Sequence, residues 1–280
     1  MSPRGRVTIH VGSDGGSDGG GVDPVTLGNY FWYASLGVYG LYFFYIIMVV
    51  LAQKRHYPYL FMYAIITSAM ISTLLTVVSI VAPFGGGYID LAASIYFYFF
   101  IYLTWAFLFE PSRQINLIQR RNNNNNNDRP WHLSQYTSSA AGIAVLIGYI
   151  LIICFTLLII AFYVAAYYSD SMDIATRNGL FLFIVFSSLI FPLIWFFLAV
   201  SHWQHIGEKR SYCLYGFFAL LMEIGMILEN VPGVLSVDYG VYGPVLLNFL
   251  LVQCCHFIAI FFGIIHGSKW IKHDMIIHQK

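Results

Sequence analysis

Charged residues are scarce in this chain of 280 residues. Asp, Glu, Lys and Arg together make up 10% of it, whereas ordinary soluble domains contain about 25%. Hydrophobic residues make up 59% and aromatic residues 18%, so a soluble domain would lack the polar side chains needed to cover its surface. The formal net charge is +1, and no basic excess favours nucleic acid as a partner. The composition predicts an integral membrane protein.

Cysteines and catalytic motifs are also scarce. The four cysteines lie within or at the edge of apolar segments, so a disulfide framework is not expected. The sequence has no Gly-rich phosphate loop, no HExxH and no paired CxxC. His202 and His205 have metal-ligand spacing, but no third ligand accompanies them. We therefore expect no enzyme activity, no catalytic residues, no metal and no cofactor.

Long apolar runs dominate what is present. Seven of them, of about 19 to 25 residues each, are long enough to cross a bilayer as helices. They are predicted at residues 30–51, 59–82, 91–109, 140–163, 180–200, 212–230 and 245–266. The expected fold is an all-α, polytopic bundle of seven transmembrane helices that occupies residues 30–266.

Three polar segments flank or interrupt this bundle. Residues 1–29 include the run GSDGGSDGGG, which is typical of a disordered tail. Residues 110–139 are predicted to be a loop, which contains six consecutive asparagines and is expected to be a tolerated low-complexity insertion. Residues 267–280 form a basic tail. None of these segments has the composition to build a packed core.

The Lys and Arg residues alternate between the two sides of the predicted bundle. Eleven of the fourteen fall on the side of the C-terminus, and three, Arg4, Arg6 and Arg177, fall on the other side. The positive-inside rule then places the N-terminus outside and the C-terminus in the cytosol. We expect a multi-pass protein of the plasma membrane or of an endomembrane.

Two ionisable residues lie near the middle of predicted spans. Glu223 and His256 each lie eleven residues into their span, or roughly 16 Å deep at about 1.5 Å per residue. A charge at that depth costs at least ~2.5 kcal/mol, so such residues usually face the bundle interior and are paired. Our hypothesis is that these two residues pair directly or through water, for a proton relay, ligand anchor or switch. The structural alternative is an interhelical hydrogen bond that only joins two helices.

Amide side chains extend this candidate site. Asn248 and Gln253 share an arc of about 140° with His256, which indicates a helix face directed at protein rather than at lipid. Asn230 lies seven residues after Glu223 and so shares its face. The predicted intramembrane polar site is therefore Glu223, Asn230, Asn248, Gln253 and His256.

Four other residues are expected to have structural roles only, three at helix ends and one proline within a span. Glu110, His202 and Glu229 lie at predicted helix ends, where we expect them to be solvated. Pro192 interrupts the fifth apolar run and is expected to kink it.

The topology resembles that of two known families. Seven helices with an outer N-terminus are similar to the G-protein-coupled receptors, but the third run ends in Glu110-Pro111-Ser112-Arg113 instead of the acidic-Arg-aromatic triplet. The topology is also similar to that of sugar-efflux transporters built as three plus one plus three helices, whose internal prolines are missing here. The sequence is therefore assigned to neither family.

Three functions remain open at this stage. The leading hypothesis is a receptor-like bundle that takes a small hydrophobic or polar ligand and binds a cytosolic protein at its basic loops. The alternative is a secondary transporter or lipid-handling carrier that uses the same polar site. The third is a structural membrane protein whose only partner is the lipid bilayer.

Overall fold

The structure, a computed structural model, describes residues 23–52, 57–82, 86–123, 139–168, 174–230, 240 and 242–270. In these ranges the chain forms helices and turns without a β-strand. The helices are α1 (Pro24–Ala52), α2 (Tyr57–Val81), α3 (Gly86–Asn123), α4 (Ala140–Tyr168), α5 (Ile174–Ser187), α6 (Ile190–Ser201), α7 (Lys209–Asn230), α8 (Gly243–Leu247), a π-helical segment (Asn248–Cys254) and α9 (Cys255–Ser268). Residues 124–127 of the Asn run and residues 271–280 lie outside the described ranges.

These helices form seven spans that are long and apolar enough to cross a membrane. α1 to α4 are the first four spans, α5 and α6 together form the fifth, α7 is the sixth, and α8, the π-helical segment and α9 form the seventh. Large apolar side chains such as Leu41 and Phe44 are more than two-thirds exposed on the outside of the bundle. Such a surface is stable in contact with lipid. The seven-helix membrane fold predicted from the sequence is confirmed, whereas the orientation of the termini stays a prediction.

The third span is the most enclosed of the seven and forms the centre of the bundle. Its buried aromatic side chains include Phe100, Trp105, Phe107 and Phe109. Because the other spans pack around it, residues on its different faces meet different neighbours. This central position decides which polar residues can reach one another.

The third span is longer than the predicted run of residues 91–109. It continues through Pro111 to Asn123, so part of the predicted loop 110–139 is helical. Glu110 is 1% exposed rather than solvated. Its carboxylate accepts hydrogen bonds from Arg113 and Gln114 one turn later, at 2.8 Å each, and from the Tyr149 hydroxyl on α4. Pro111 lies within this helix and cannot donate a backbone hydrogen bond to the Phe107 carbonyl four residues earlier.

The fifth span is broken, as Pro192 indicated, but the break lies at Ser188 and Leu189. Pro192 has no N–H to donate to the Ser188 carbonyl four residues earlier. That carbonyl accepts instead from the N–H of Phe191, at 2.9 Å. The tighter turn separates α5 from α6 within the span.

The chain folds back at the end of the bundle where the sixth span begins and the seventh ends. We call this the inner end, since the charge pattern predicts that it faces the cytosol. Trp270 is buried and its ring stacks on Phe107, with 5.5 Å between centroids. The Trp270 carbonyl accepts from the N–H of Gly207 at 3.1 Å, and Lys269 lies 3.2 Å from the Glu208 carboxylate. The turn between the fifth and sixth spans is therefore fastened to the chain that follows the seventh.

Candidate functional site

Glu223 lies on the sixth span and is fully buried. Neither of its carboxyl oxygens hydrogen-bonds to a described residue. Polar groups that lie close to it include the indole N–H of Trp105 and the hydroxyl of Tyr102 on the third span, and the hydroxyl of Ser188 at the break in the fifth. The Trp105 nitrogen has no hydrogen-bond partner among the described residues either. The site thus holds a buried acceptor and a buried donor that are near each other but unpaired.

His256 lies on the seventh span and is also fully buried. Its Nδ1 shares a hydrogen bond of 2.7 Å with the Tyr39 hydroxyl on the first span. Its ring stacks on Phe100 of the third span, with 4.4 Å between centroids and 27° between planes. The hydrogen bond at Nδ1 and the stacked Phe100 ring together fix the position of this imidazole.

Glu223 and His256 do not form the direct hydrogen bond that the sequence suggested. They approach different parts of the third span, since Glu223 lies near Trp105 whereas His256 lies on Phe100. Five residues separate these two contacts on the helix, which places them about 140° apart around its axis and about 7.5 Å apart along it. The two residues therefore have different neighbours on the third span. The water-mediated pair stays a prediction.

The amide side chains of the seventh span form a hydrogen-bonded chain. Gln253 donates from Nε2 to Asn248 Oδ1 at 2.8 Å, and Asn248 donates from Nδ2 to Glu229 Oε2 at 2.8 Å. The Gln253 carbonyl oxygen accepts from the Ser35 hydroxyl on the first span. Gln253 is 3% exposed and Asn248 is half-buried, so this face does point into the protein. The chain connects the first, sixth and seventh spans near the outer end of the bundle.

At the outer end of the bundle, the structure corrects the prediction for Glu229 and does not test the prediction for Asn230. Glu229 is half-buried and binds Asn248, so it is not simply a solvated helix end. Asn230 is the last residue of α7, and its side chain lies outside the described part of the structure. Its predicted place in the site stays a prediction.

The π-helical segment widens the seventh span where these amides lie. Gln253 binds Asn248 five residues earlier, and the Cys255 thiol donates to the Leu250 carbonyl, also five residues earlier, at 3.5 Å. The sixth span approaches this segment closely at Gly225, where an added Cβ would lie 2.6 Å from Leu251 Cβ. A π-helical turn in an α-helix frequently marks a functional site. The close approach at Gly225 lies two residues along the sixth span from Glu223.

Sequence reasoning missed several residues that complete these environments. They are Ser35, Tyr39, Trp105, Ser188 and Glu229. Ser35 and Tyr39 are four residues apart on one helix, which was a usable signal, and Ser188 lies four residues before Pro192. Nothing in the sequence distinguished Trp105 from the other aromatic residues of the third span.

The site contains a carboxyl group that can change its protonation state. Among the described residues, no three His, Cys, Asp or Glu side chains come together as ligands of a metal ion. Glu223 can gain or lose a proton, and Trp105 can donate a hydrogen bond to it if the two approach. In comparisons with known proteins, this chain matches no protein-family model, no curated protein and no solved structure.

Proposed function

We propose that this multi-pass membrane protein is a carrier that couples the movement of a small solute to protonation of Glu223. The observation that carries the proposal is the fully buried Glu223 carboxyl, which has no hydrogen-bond partner among the described residues and lies beside the break in the fifth span. Ionisable residues inside a membrane are costly, and they commonly belong to ion or proton pathways.

The break at Ser188 supports a moving part at this position. α5 and α6 are separate helices, so α6 can tilt without unwinding the rest of the fifth span. A small shift brings the Trp105 N–H into or out of hydrogen-bond range of Glu223, or turns the Ser188 hydroxyl towards Glu223 from the Val185 carbonyl, to which it donates at 2.6 Å. These donors stabilise a carboxylate more than a neutral acid, and the helix position is thereby linked to the proton.

The seventh span supports the same proposal. Carriers commonly place their binding sites where membrane helices are discontinuous, and here the π-helical segment packs against the sixth span at Gly225. The hydrogen-bonded chain from Glu229 through Asn248 to Gln253 supplies polar groups between the outer end and this depth. A solute with hydroxyl or amide groups can exchange hydrogen bonds with these side chains.

The proposal can be tested in liposomes that contain the purified protein and a pH-sensitive dye. A panel of sugars, amino acids, nucleosides and monocarboxylates is added outside, and the internal pH is followed. We expect at least one solute to change the internal pH with the wild type and to leave it unchanged with Glu223→Gln. The matched control is Glu208→Gln, which removes a carboxylate outside the spans and should retain the response.

The opposite results are equally informative. If Glu223→Gln responds like the wild type, Glu223 is not the coupling group. If no solute changes the internal pH and Glu223→Gln alters only thermal stability, the carrier proposal fails. Solute-dependent signals from liposomes without protein would show that the assay itself leaks.

A receptor-like function is the second candidate, and one observation favours it. The sixth span carries Glu223 and begins at Lys209, directly after the inner turn that is fastened to Trp270 and Lys269. A ligand that shifts Glu223 would therefore move a surface at the inner end. Recovery of the same cytosolic protein with the wild type, but not with Glu223→Gln, in the absence of solute flux would favour this function.

A further inference from the structure

A groove of about 790 Å³ lies between the inner ends of the fifth and sixth spans. Its lining includes Trp195, Phe196, Val200, Trp203, His205 and Cys213. It is separate from the Glu223 site and is not used by the proposed transport step. Its volume falls within the range of about 300–1,000 Å³ that is usual for small-molecule sites.

The deep part of the groove is apolar and opens towards the lipid. Trp195 lies flat against the sixth span at Gly216, where an added Cβ would lie 2.2 Å from the Trp195 ring. Phe196 and Val200 are 65% and 63% exposed at the edge of the groove. Side chains exposed to this extent on a membrane span are in contact with acyl chains. An acyl chain can therefore enter the groove sideways from the bilayer.

Two cations lie next to the shallow part of the groove, on the sixth span one turn before the lining residue Cys213. The Lys209 ammonium lies 4.9 Å from the centre of the Trp203 ring, and Arg210, the next residue, is exposed. In the described part of the chain neither Lys209 nor Arg210 forms a salt bridge with a carboxylate. Two cations that no described carboxylate neutralises thus lie beside the mouth of an apolar groove.

The turn that carries this basic end is already ordered. The His202 carbonyl accepts from the N–H groups of His205 and Ile206, at 2.9 and 3.2 Å. Gly207 and Glu208 are tied to Trp270 and Lys269 as described above. The cations therefore start from a fixed backbone, which reduces the ordering cost of binding.

We propose that this groove binds one anionic phospholipid of the cytosolic leaflet. The phosphate lies at Lys209 and Arg210, Trp203 lies at the level of the headgroup, and one acyl chain lies along Trp195 and Phe196. Basic pockets between spans on the cytosolic side bind anionic headgroups, and tryptophan is enriched at the membrane interface. A free phosphate ion would leave the apolar floor uncovered, so the whole groove fits a lipid better.

The test is native mass spectrometry of the full-length protein titrated with phosphatidylglycerol or phosphatidylcholine of the same acyl chains. We expect the wild type to retain one phosphatidylglycerol more tightly than phosphatidylcholine. The double variant Lys209→Gln/Arg210→Gln should bind phosphatidylglycerol roughly thirtyfold more weakly, because each of the two cations contributes about 1 kcal/mol to attraction of an anionic lipid and about 1.4 kcal/mol is a tenfold change in affinity. The control double variant Lys54→Gln/Arg55→Gln removes two cations predicted to lie on the same side of the membrane, between the first and second spans, and should change this affinity much less.

A second variant and a second measurement keep the outcome decisive. Cys213→Phe fills the groove from the sixth span without changing charge, and it should also weaken retention. In the wild type, phosphatidylglycerol with brominated acyl chains should quench tryptophan fluorescence more than brominated phosphatidylcholine does, and Trp203→Phe should reduce that difference. Equal retention of both lipids, an equal loss with Lys54→Gln/Arg55→Gln, or unchanged retention with the groove filled would each overturn the proposal.

Discussion

Two buried glutamates of this protein differ in their partners rather than in their burial. Glu110 is 1% exposed and Glu223 is 0% exposed. Glu110 accepts hydrogen bonds from Arg113, Gln114 and Tyr149, whereas no described residue donates one to Glu223. A buried carboxylate whose hydrogen bonds are formed, such as that of Glu110, joins two helices. One without hydrogen-bond partners, such as that of Glu223, can form new hydrogen bonds when the helices move.

This difference predicts that a change from Glu to Gln lowers stability at position 110 but not at position 223. Glu110→Gln leaves Arg113 without its carboxylate and should lower the free energy of unfolding by about 3 kcal/mol, as expected when one partner of a buried ion pair is removed. Glu223→Gln should leave stability unchanged or raise it slightly. Thermal unfolding of both variants in the same detergent measures the contrast, and an equal loss in both would contradict it.

His202 is buried rather than solvated, and we expect it to make the stability of the protein depend on pH. It is 5% exposed, and burial, with a smaller contribution from nearby His205, lowers its pKa from 6.5 to about 4. Between these two values the unfolded chain binds a proton that the folded protein does not, so stability falls as the pH is lowered from about 6.5 to about 4. Below that window no further loss comes from this residue.

The His202 effect is measurable as a difference between variants. The unfolding temperature of the wild type should fall more steeply over this pH window than that of His202→Gln. Parallel curves for the two proteins would show that His202 is not the source. The difference cancels the contributions of the other histidines, which both proteins share.

At the level of single helices, close packing depends on a few glycines. A Cβ at Gly216 would lie 2.2 Å from the Trp195 ring, so the fifth and sixth spans can approach only because that position has no side chain. At Gly37 on the first span, a Cβ would meet no atom of a neighbouring element within 4 Å. The two glycines therefore form a matched pair for substitution.

Gly216→Ala should lower the free energy of unfolding by about 1–3 kcal/mol, because the added methyl group forces Trp195 out of its position. Gly37→Ala should be neutral or stabilising by up to about 1 kcal/mol, because alanine favours a helix more than glycine does. Unfolding temperatures in one detergent measure both effects. A neutral Gly216→Ala would show that the Trp195 ring moves aside without cost.

The two helix breaks differ in how far the sequence revealed them. Pro192 predicted a break in the fifth span because proline cannot donate the backbone hydrogen bond. The π-helical segment NFLLVQC contains neither proline nor glycine, so local propensity gives no sign of it. Within it, the Gln253 and Asn248 side chains hydrogen-bond to each other and also to Ser35 and Glu229 on other spans. The π-helical segment thus lies where side chains of the seventh span contact other spans, and these contacts cannot be read from the local sequence.

At the level of the whole molecule, the charge pattern makes a definite prediction of orientation. With eleven of fourteen Lys and Arg residues on one side, the N-terminus should lie outside and the C-terminus in the cytosol. An epitope tag at the N-terminus of intact cells should be accessible to antibody, and a C-terminal tag only after permeabilisation. The reverse pattern would overturn the orientation, and it would also move the proposed lipid site to the other leaflet.

The sequence by itself determined that this is a seven-helix membrane protein, because apolar length and scarcity of charge do not depend on how the helices pack. It also identified Glu223 and His256 as buried, since both lie deep within apolar runs. Only the tertiary structure decided their partners. Glu223 lies near Trp105 of the third span, whereas His256 stacks on Phe100 of the same span. Depth along a helix follows from counting residues, whereas direction around it depends on which neighbours pack there.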